Sequence, residues 1–134
     1  MNQGHCLCGK IRYEVRGAIG PIVLCHCSEC RRAQGSAFAA NAQIRTEDFV
    51  LLTGAEQIKE YQDSPDKLRA FCRNCGSPIY SHRPSRPEVL RLRLGTLETP
   101  LATRPVAHIF ATSKADWDEI TDHLPQYEGL EPGR

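Results

Sequence analysis

Apolar and polar residues alternate with a period of two over several short stretches, the pattern of half-buried β-strands. Between Lys10 and Arg16, Ile11, Tyr13 and Val15 point one way, while Arg12, Glu14 and Arg16 point the other. Val89 to Leu94 repeats the pattern, with Leu90, Leu92 and Leu94 expected inward and Arg91 and Arg93 outward. Ile22-Val23-Leu24 is a continuous apolar run that suits a buried strand, and Val106 to Phe110 is a further strand. Helical signals are sparse. Ser28 is the expected cap of a short helix through Glu29, Arg31, Arg32 and Ala33 that ends near Gly35, and Thr46–Phe49 is compatible with a single turn. Ten glycines and nine prolines fall between these short runs, which favours many strands joined by tight turns. The expected fold class is mainly β, with several small sheets.

No repeat or low-complexity linker interrupts the 134 residues, so the expected organisation is a single domain over 1–134. A net charge of +1 with interspersed signs gives no reason to expect nucleic acid as a partner. The first residues lack a charged segment followed by an apolar one, and no stretch is apolar enough to span a bilayer, so no membrane association is expected.

The chemistry lies in the cysteines. All seven fall into three clusters: Cys6-Leu7-Cys8, Cys25-His26-Cys27-Ser28-Glu29-Cys30 and Cys72-Arg73-Asn74-Cys75. A disulfide scaffold normally uses an even number, and bridges do not persist in a reducing cytoplasm, the expected compartment. C-x-C and C-x-x-C spacings suit metal coordination. Seven thiols divide into a full tetrahedral set of four and an incomplete set of three, the difference between a closed structural zinc site and one with an open position. Cys6, Cys8, Cys72 and Cys75 make the set of four. Cys72-Arg73-Asn74-Cys75-Gly76 reads as a zinc knuckle whose glycine tolerates positive φ, and Cys8-Gly9 uses glycine in the same way. A metal there would join segments more than sixty positions apart, and its binding energy would be folding energy.

Cys25, Cys27 and Cys30 then form a local trio that lacks a fourth cysteine. Water, a foreign ligand or a histidine would complete it. His5, His82, His108 and His123 are the histidines open to that role, although none is marked by its spacing, and His26 is expected to face away from the sulfurs. The open arrangement is preferred because three protein ligands with a vacancy is the catalytic pattern of zinc. A zinc ion on three thiolates is a soft Lewis acid suited to another sulfur, and it can polarise a carbonyl. Addition of a thiol to an aldehyde, or the reverse cleavage of the C–S bond, fits such a site. Arg31 and Arg32 could pair with a carboxylate of an anionic thiol. His26, His82 and Glu29 are the candidates for proton transfer. No phosphate loop or dinucleotide fingerprint implies an organic cofactor. A purely structural trio, a non-enzymatic zinc module that binds a thiol or a protein partner, and an iron–sulfur cluster are the competing readings.

Gly4-x-Cys6-x-Cys8-Gly9-x-Ile11-x-Tyr13, Cys25-His26-Cys27-Ser28-x-Cys30-Arg31-Arg32 and Phe71-Cys72-x-x-Cys75-Gly76-x-Pro78-Ile79-Tyr80 together resemble the glutathione-dependent formaldehyde-activating enzyme family, also called the centromere-protein-V/GFA family. The later stretches His108-Ile109-Phe110, Ser113-Lys114, Asp116-Trp117 and Leu124–Gly129 resemble its C-terminal part. The resemblance implies an Mss4-like fold of coiled antiparallel sheets stapled by two zinc ions. Cys6, Cys8, Cys72 and Cys75 match its structural set, and Cys25, Cys27 and Cys30 its catalytic set. The implied activity joins glutathione to formaldehyde as S-hydroxymethylglutathione, formally a carbon–sulfur lyase reaction run backwards.

Overall fold

The computed structural model describes residues 1–133 and is mainly β, with ten strands and one α-helix among them. The chain groups into two compact units. The first is Met1–Gly20 with Ala42–Ala102, and the second is Pro21–Asn41 with the chain from Thr103 onward.

In the first unit, β1 (Asn2–His5), β2 (Arg12–Val15) and β5 (Phe49–Thr53) form a three-stranded antiparallel sheet in the order β1-β2-β5. β6 (Ile58–Ser64), β7 (Lys67–Cys72), β8 (Pro78–His82) and β9 (Val89–Arg93) form an antiparallel run, and β4 (Ala39–Arg45), of which residues 42–45 belong to this unit, lies beyond β9. The alternation along β2 works as expected: Tyr13 and Val15 are fully buried while Arg12 is exposed, and Ile11, just ahead of the strand, is buried with them. They pack with Ile44, Ile79, Leu90 and Leu92, and with the sulfurs of Cys6 and Cys72.

The same alternation fails in β9. Arg91 and Arg93, expected outward, are only 6% and 3% exposed. The strand lies between β4 and β8, so both its edges are paired, and its second face is covered too. Period two separates the two faces of a strand but does not say that one of them meets water. Nη1 of Arg93 donates to the Arg91 carbonyl at 3.4 Å.

In the second unit, β3 (Ile22–Cys25) pairs in parallel with β10 (Pro105–Ile109), matching Leu24 to His108 and Cys25 to Ile109. Downstream chain lies along β10. The His108 N–H donates to Pro125 O at 2.9 Å, and the Tyr127 N–H donates to His108 O at 2.9 Å. Helix α1 (Ser28–Gln34) follows β3 directly. Its C-terminus fits the expectation, with Gly35 in the left-handed region at φ 63°. Its N-terminus does not. Cys27, not Ser28, is the cap, and the Cys27 sulfur accepts the Cys30 N–H at 3.3 Å. Ser28 is already helical, and its hydroxyl donates to Glu29 at 3.2 Å. Val23, Cys25, Cys30, Ala39, Ala107 and Ile109 form this unit's own core.

No described helix is long and apolar enough to cross a membrane.

Candidate metal centres

Each unit gathers one group of cysteines. In the first, the sulfurs of Cys6, Cys8, Cys72 and Cys75 all lie within 4.8 Å of one another. The Cys6–Cys8 and Cys8–Cys72 separations are 3.5 and 3.8 Å. That is too long for a disulfide. It is close to the edge of about 3.8 Å that a tetrahedron with zinc–sulfur bonds of about 2.3 Å requires. Two turns built alike deliver the sulfurs. In one, the Gly9 N–H donates to Cys6 O at 3.0 Å and the Ile11 N–H reaches the Cys6 sulfur at 3.3 Å. In the other, the Gly76 N–H donates to Cys72 O at 2.7 Å. Gly9 and Gly76 have φ of 78° and 80°, a conformation a side chain would strain.

The electrostatics of this group is uneven. Burial pushes the Cys72 thiol up to about 11. Burial acts on Cys75 in the same direction but is outweighed by hydrogen bonds from the side chain and backbone of Ser77 and from the Cys8 backbone, which bring it down to about 5. Cys8 is also lowered, chiefly by Asn74 and the Lys10 backbone. Donors already aimed at two sulfurs favour thiolates, the form a metal takes.

In the second unit, the Cys25, Cys27 and Cys30 sulfurs lie within 4.8 Å of one another. Among the described residues, no histidine or carboxylate donor atom shares that cluster. Cys25 ends β3, Cys27 caps α1 and Cys30 lies in its first turn, so six residues of chain bring all three together. Cys25 and Cys30 are buried, and Cys27 is partly exposed. The crowding raises the Cys25 thiol, through the neighbouring Cys27 and Cys30 thiols first and burial second. Cys27 is raised as well: contact with Cys25 pulls it down, but Cys30 and burial prevail. Three thiols packed this tightly resist becoming three thiolates unless a cation offsets the repulsion. The donor set therefore fits a soft divalent ion such as zinc, with one coordination position left over.

The remaining sequence candidates lie in varied places. His26 is fully buried and its ring meets His108: the two nitrogens, His26 Nε2 and His108 Nδ1, are 2.8 Å apart. His108 Nε2 lies 2.9 and 3.1 Å from the two Asp122 oxygens. Burial, then the neighbouring His108, holds His26 below the ordinary histidine value. Asp122 is lowered by the hydrogen bonds from His108 and the Leu124 backbone. Arg31 donates from Nε to the His26 carbonyl at 3.4 Å, while Arg32 is exposed. His82 belongs to the first unit, where it pairs with Glu60 beside Tyr80 at a cavity of about 390 Å³. His5 pairs loosely with Glu98 in that unit, at 3.9 Å, and Glu29 and His123 are exposed in the second. The His26–His108–Asp122 chain escaped the sequence reading. Its members stand 82 and 14 positions apart, and no spacing rule joins them.

A sequence profile for glutathione-dependent formaldehyde-activating enzymes matches residues 1–113. A Schizosaccharomyces pombe protein named an uncharacterized lyase is 30% identical over 78 residues, 58% of this chain and 55% of that one. The chain thus spans about half the length of that curated relative. The crystal structure of a Rhodobacter sphaeroides protein matches with a TM-score of 0.62 at 32% identity, covering 75% of this chain and 91% of the other. With the profile covering most of its length, the chain belongs to the glutathione-dependent formaldehyde-activating enzyme family.

Proposed function

We propose that the protein is a zinc-dependent enzyme of carbon–sulfur lyase type that makes or breaks a thiol–aldehyde adduct, with glutathione and formaldehyde as the reference pair. The observation that carries this reading is the inequality of the two cysteine groups: four sulfurs in one unit, and three in the other with no further cysteine, histidine or carboxylate beside them among the described residues. Cys6, Cys8, Cys72 and Cys75 are assigned to a structural zinc, and Cys25, Cys27 and Cys30 to a working one.

In the synthetic direction a C–S bond forms between the thiol sulfur and the aldehyde carbon, and the thiol proton ends on the former carbonyl oxygen. When bound, zinc supplies an electrophilic centre that tolerates an additional sulfur or oxygen ligand. The chain's own contribution is positional. Cys25 and Cys30 are buried and hold the inner side of the trio, so a substrate approaches past Cys27, the one partly exposed member. The Cys30 N–H already spends one hydrogen bond on the Cys27 sulfur. That bond tempers the charge on this sulfur and fixes its direction. Arg31 is tied to the His26 carbonyl, which leaves the exposed Arg32 as the guanidinium available to a carboxylate of the thiol. A reducing compartment such as the cytoplasm keeps all seven thiols available for metal.

The test is the rate of S-hydroxymethylglutathione formation and breakdown, measured with zinc content on parent and Cys27→Ser protein. The expected result is two zinc ions and acceleration in the parent, and one zinc with the uncatalysed rate in the variant. Equal rates in both would remove this reading for that substrate pair. Saturable thiol binding without acceleration would point to a binding module.

A further inference from the structure

The hydrogen bonds around His26 have a direction. Asp122 is held as a carboxylate, a pure acceptor, so His108 Nε2 must carry the proton it donates at 2.9 Å. A neutral His108 then has a bare Nδ1, and the proton between the rings belongs to His26 Nε2, which donates across 2.8 Å. His26 is thereby fixed as the Nε2–H tautomer. Its Nδ1 is a buried lone pair with no protein partner. One carboxylate sets the protonation pattern of two imidazoles in sequence.

The end of this chain lies between two members of the cysteine trio. Four contacts hold His26: its backbone N–H donates to Ile109 O at 3.0 Å, its carbonyl accepts from Arg31, its ring lies tilted against Phe38 with centroids 5.4 Å apart, and its Nε2 meets His108. Two of the four come from β10, which also pairs with Cys25 through Ile109. The backbone from Cys25 to Cys27 has little freedom while the ring is docked. Asp122 is itself anchored, because its Oδ1 accepts the Leu124 N–H at 3.0 Å.

We propose that Asp122 is a positioning residue for the Cys25–Cys27–Cys30 cluster. Acting through His108, it fixes the tautomer and orientation of His26, and with them the backbone that carries Cys25 and Cys27. This rests on the reading of the trio as a metal site. Asp122 lies beyond residues 1–113, the part matched to the family profile. Groups that orient metal-binding segments from outside the coordination sphere typically change metal retention about 10- to 100-fold when removed.

Asp122→Asn separates this role from simple scaffolding. The asparagine oxygen can keep the Leu124 N–H, so the turn survives, and its amide then faces His108 Nε2 as a donor. The chain of donors reverses, and His26 should carry its proton on Nδ1. Long-range ¹⁵N–¹H spectra of histidine-labelled, zinc-loaded protein report that tautomer directly. Zinc release to a chromogenic chelator provides the second readout, with the four-cysteine site of the other unit as internal control. The expected result is a switched His26 tautomer and release of one zinc at least about tenfold faster, with the other unchanged. An unchanged tautomer, or two zinc ions leaving at parental rates, overturns the proposal alone. A parent protein that holds only one zinc overturns the metal reading and the proposal together.

Discussion

The Leu7 N–H donates to the Ser77 hydroxyl at 2.9 Å, a bond between residues seventy positions apart. The same oxygen lies 3.3 Å from the Cys75 sulfur. One hydroxyl thus connects the turn that carries Cys6 and Cys8 to the turn that carries Cys72 and Cys75. Ser77→Ala should cost about 1 kcal/mol of stability, the usual net value of one such bond. It should also lift Cys75 from about 5, since the Ser77 hydroxyl supplies the strongest of the interactions that lower it, while the Ser77 backbone bond survives. Urea unfolding and chelator competition on the holoprotein check the two effects. A variant that matches the parent in both would show that the hydroxyl does not link the turns.

The two cysteine groups should respond differently to loss of a ligand. Cys72 is fully buried in the core of the first unit, beside Ile11, Ile79 and Leu92. Cys72→Ala removes a metal ligand that is itself part of the core, so the first unit should not fold. Cys27→Ala removes a partly exposed ligand and the cap of α1, worth about 1 kcal/mol. It should lose one zinc yet retain the ordered β1-β2-β5 sheet. Zinc analysis with amide spectra distinguishes the cases, and loss of dispersion throughout the chain in Cys27→Ala would contradict the division.

Much of this was legible from the residues, and what was not has physical causes. The clusters could be read because metal ligands in turns obey short spacings, and Gly9 and Gly76 because positive φ selects glycine. Tyr13 and Val15 could be read because β2 has one wet face. Arg91 and Arg93 misled because alternation does not report what covers the second face. Ser28 misled because capping preference ranks hydroxyls and carboxylates, whereas the preceding sulfur was already placed to accept the Cys30 N–H. Asp122 was invisible because its role depends on the approach of β10 to the end of β3, a tertiary fact with no local signature.

Gly4 is a packing requirement that its sequence motif does not explain. A Cβ built there would meet the Tyr13 hydroxyl oxygen at 2.3 Å and the Thr96 carbonyl at 2.5 Å. Tyr13 is fully buried and Thr96 O is backbone, so neither can swing aside. Gly4→Ala should destabilise the first unit by about 1–3 kcal/mol, the usual range for overpacking. Denaturant midpoints measure it. Gly35→Ala and Gly129→Ala serve as references, because a Cβ at either meets no atom within 4 Å. Gly129 lacks positive φ and should be nearly silent, whereas Gly35 at φ 63° should pay only the backbone cost. A Gly4→Ala protein as stable as Gly129→Ala would contradict the packing argument.

Tyr13 gives the stability a dependence on alkaline pH. Its hydroxyl lies 2.7 Å from Thr96 Oγ1, which itself donates to Arg93 O at 3.0 Å, so Tyr13 is the donor between them. Burial raises Tyr13 above the ordinary tyrosine value. The folded state therefore keeps a proton that the unfolded chain releases first. The sign follows: this contribution is fully present below about pH 10, the unfolded value, and is lost as pH rises through the higher folded value. Tyr13→Phe lacks the bond and should be about 1 kcal/mol less stable than the parent at pH 8. It is also free of the titration, so its deficit should shrink above pH 10. Paired urea midpoints at pH 8 and above pH 10, with tyrosinate absorbance to follow ionisation, test the narrowing. Tyr80, raised by burial and by Glu60, is common to both proteins and cancels in the difference. A deficit that stays constant across this range would mean that Tyr13 ionises as easily in the fold as in the open chain.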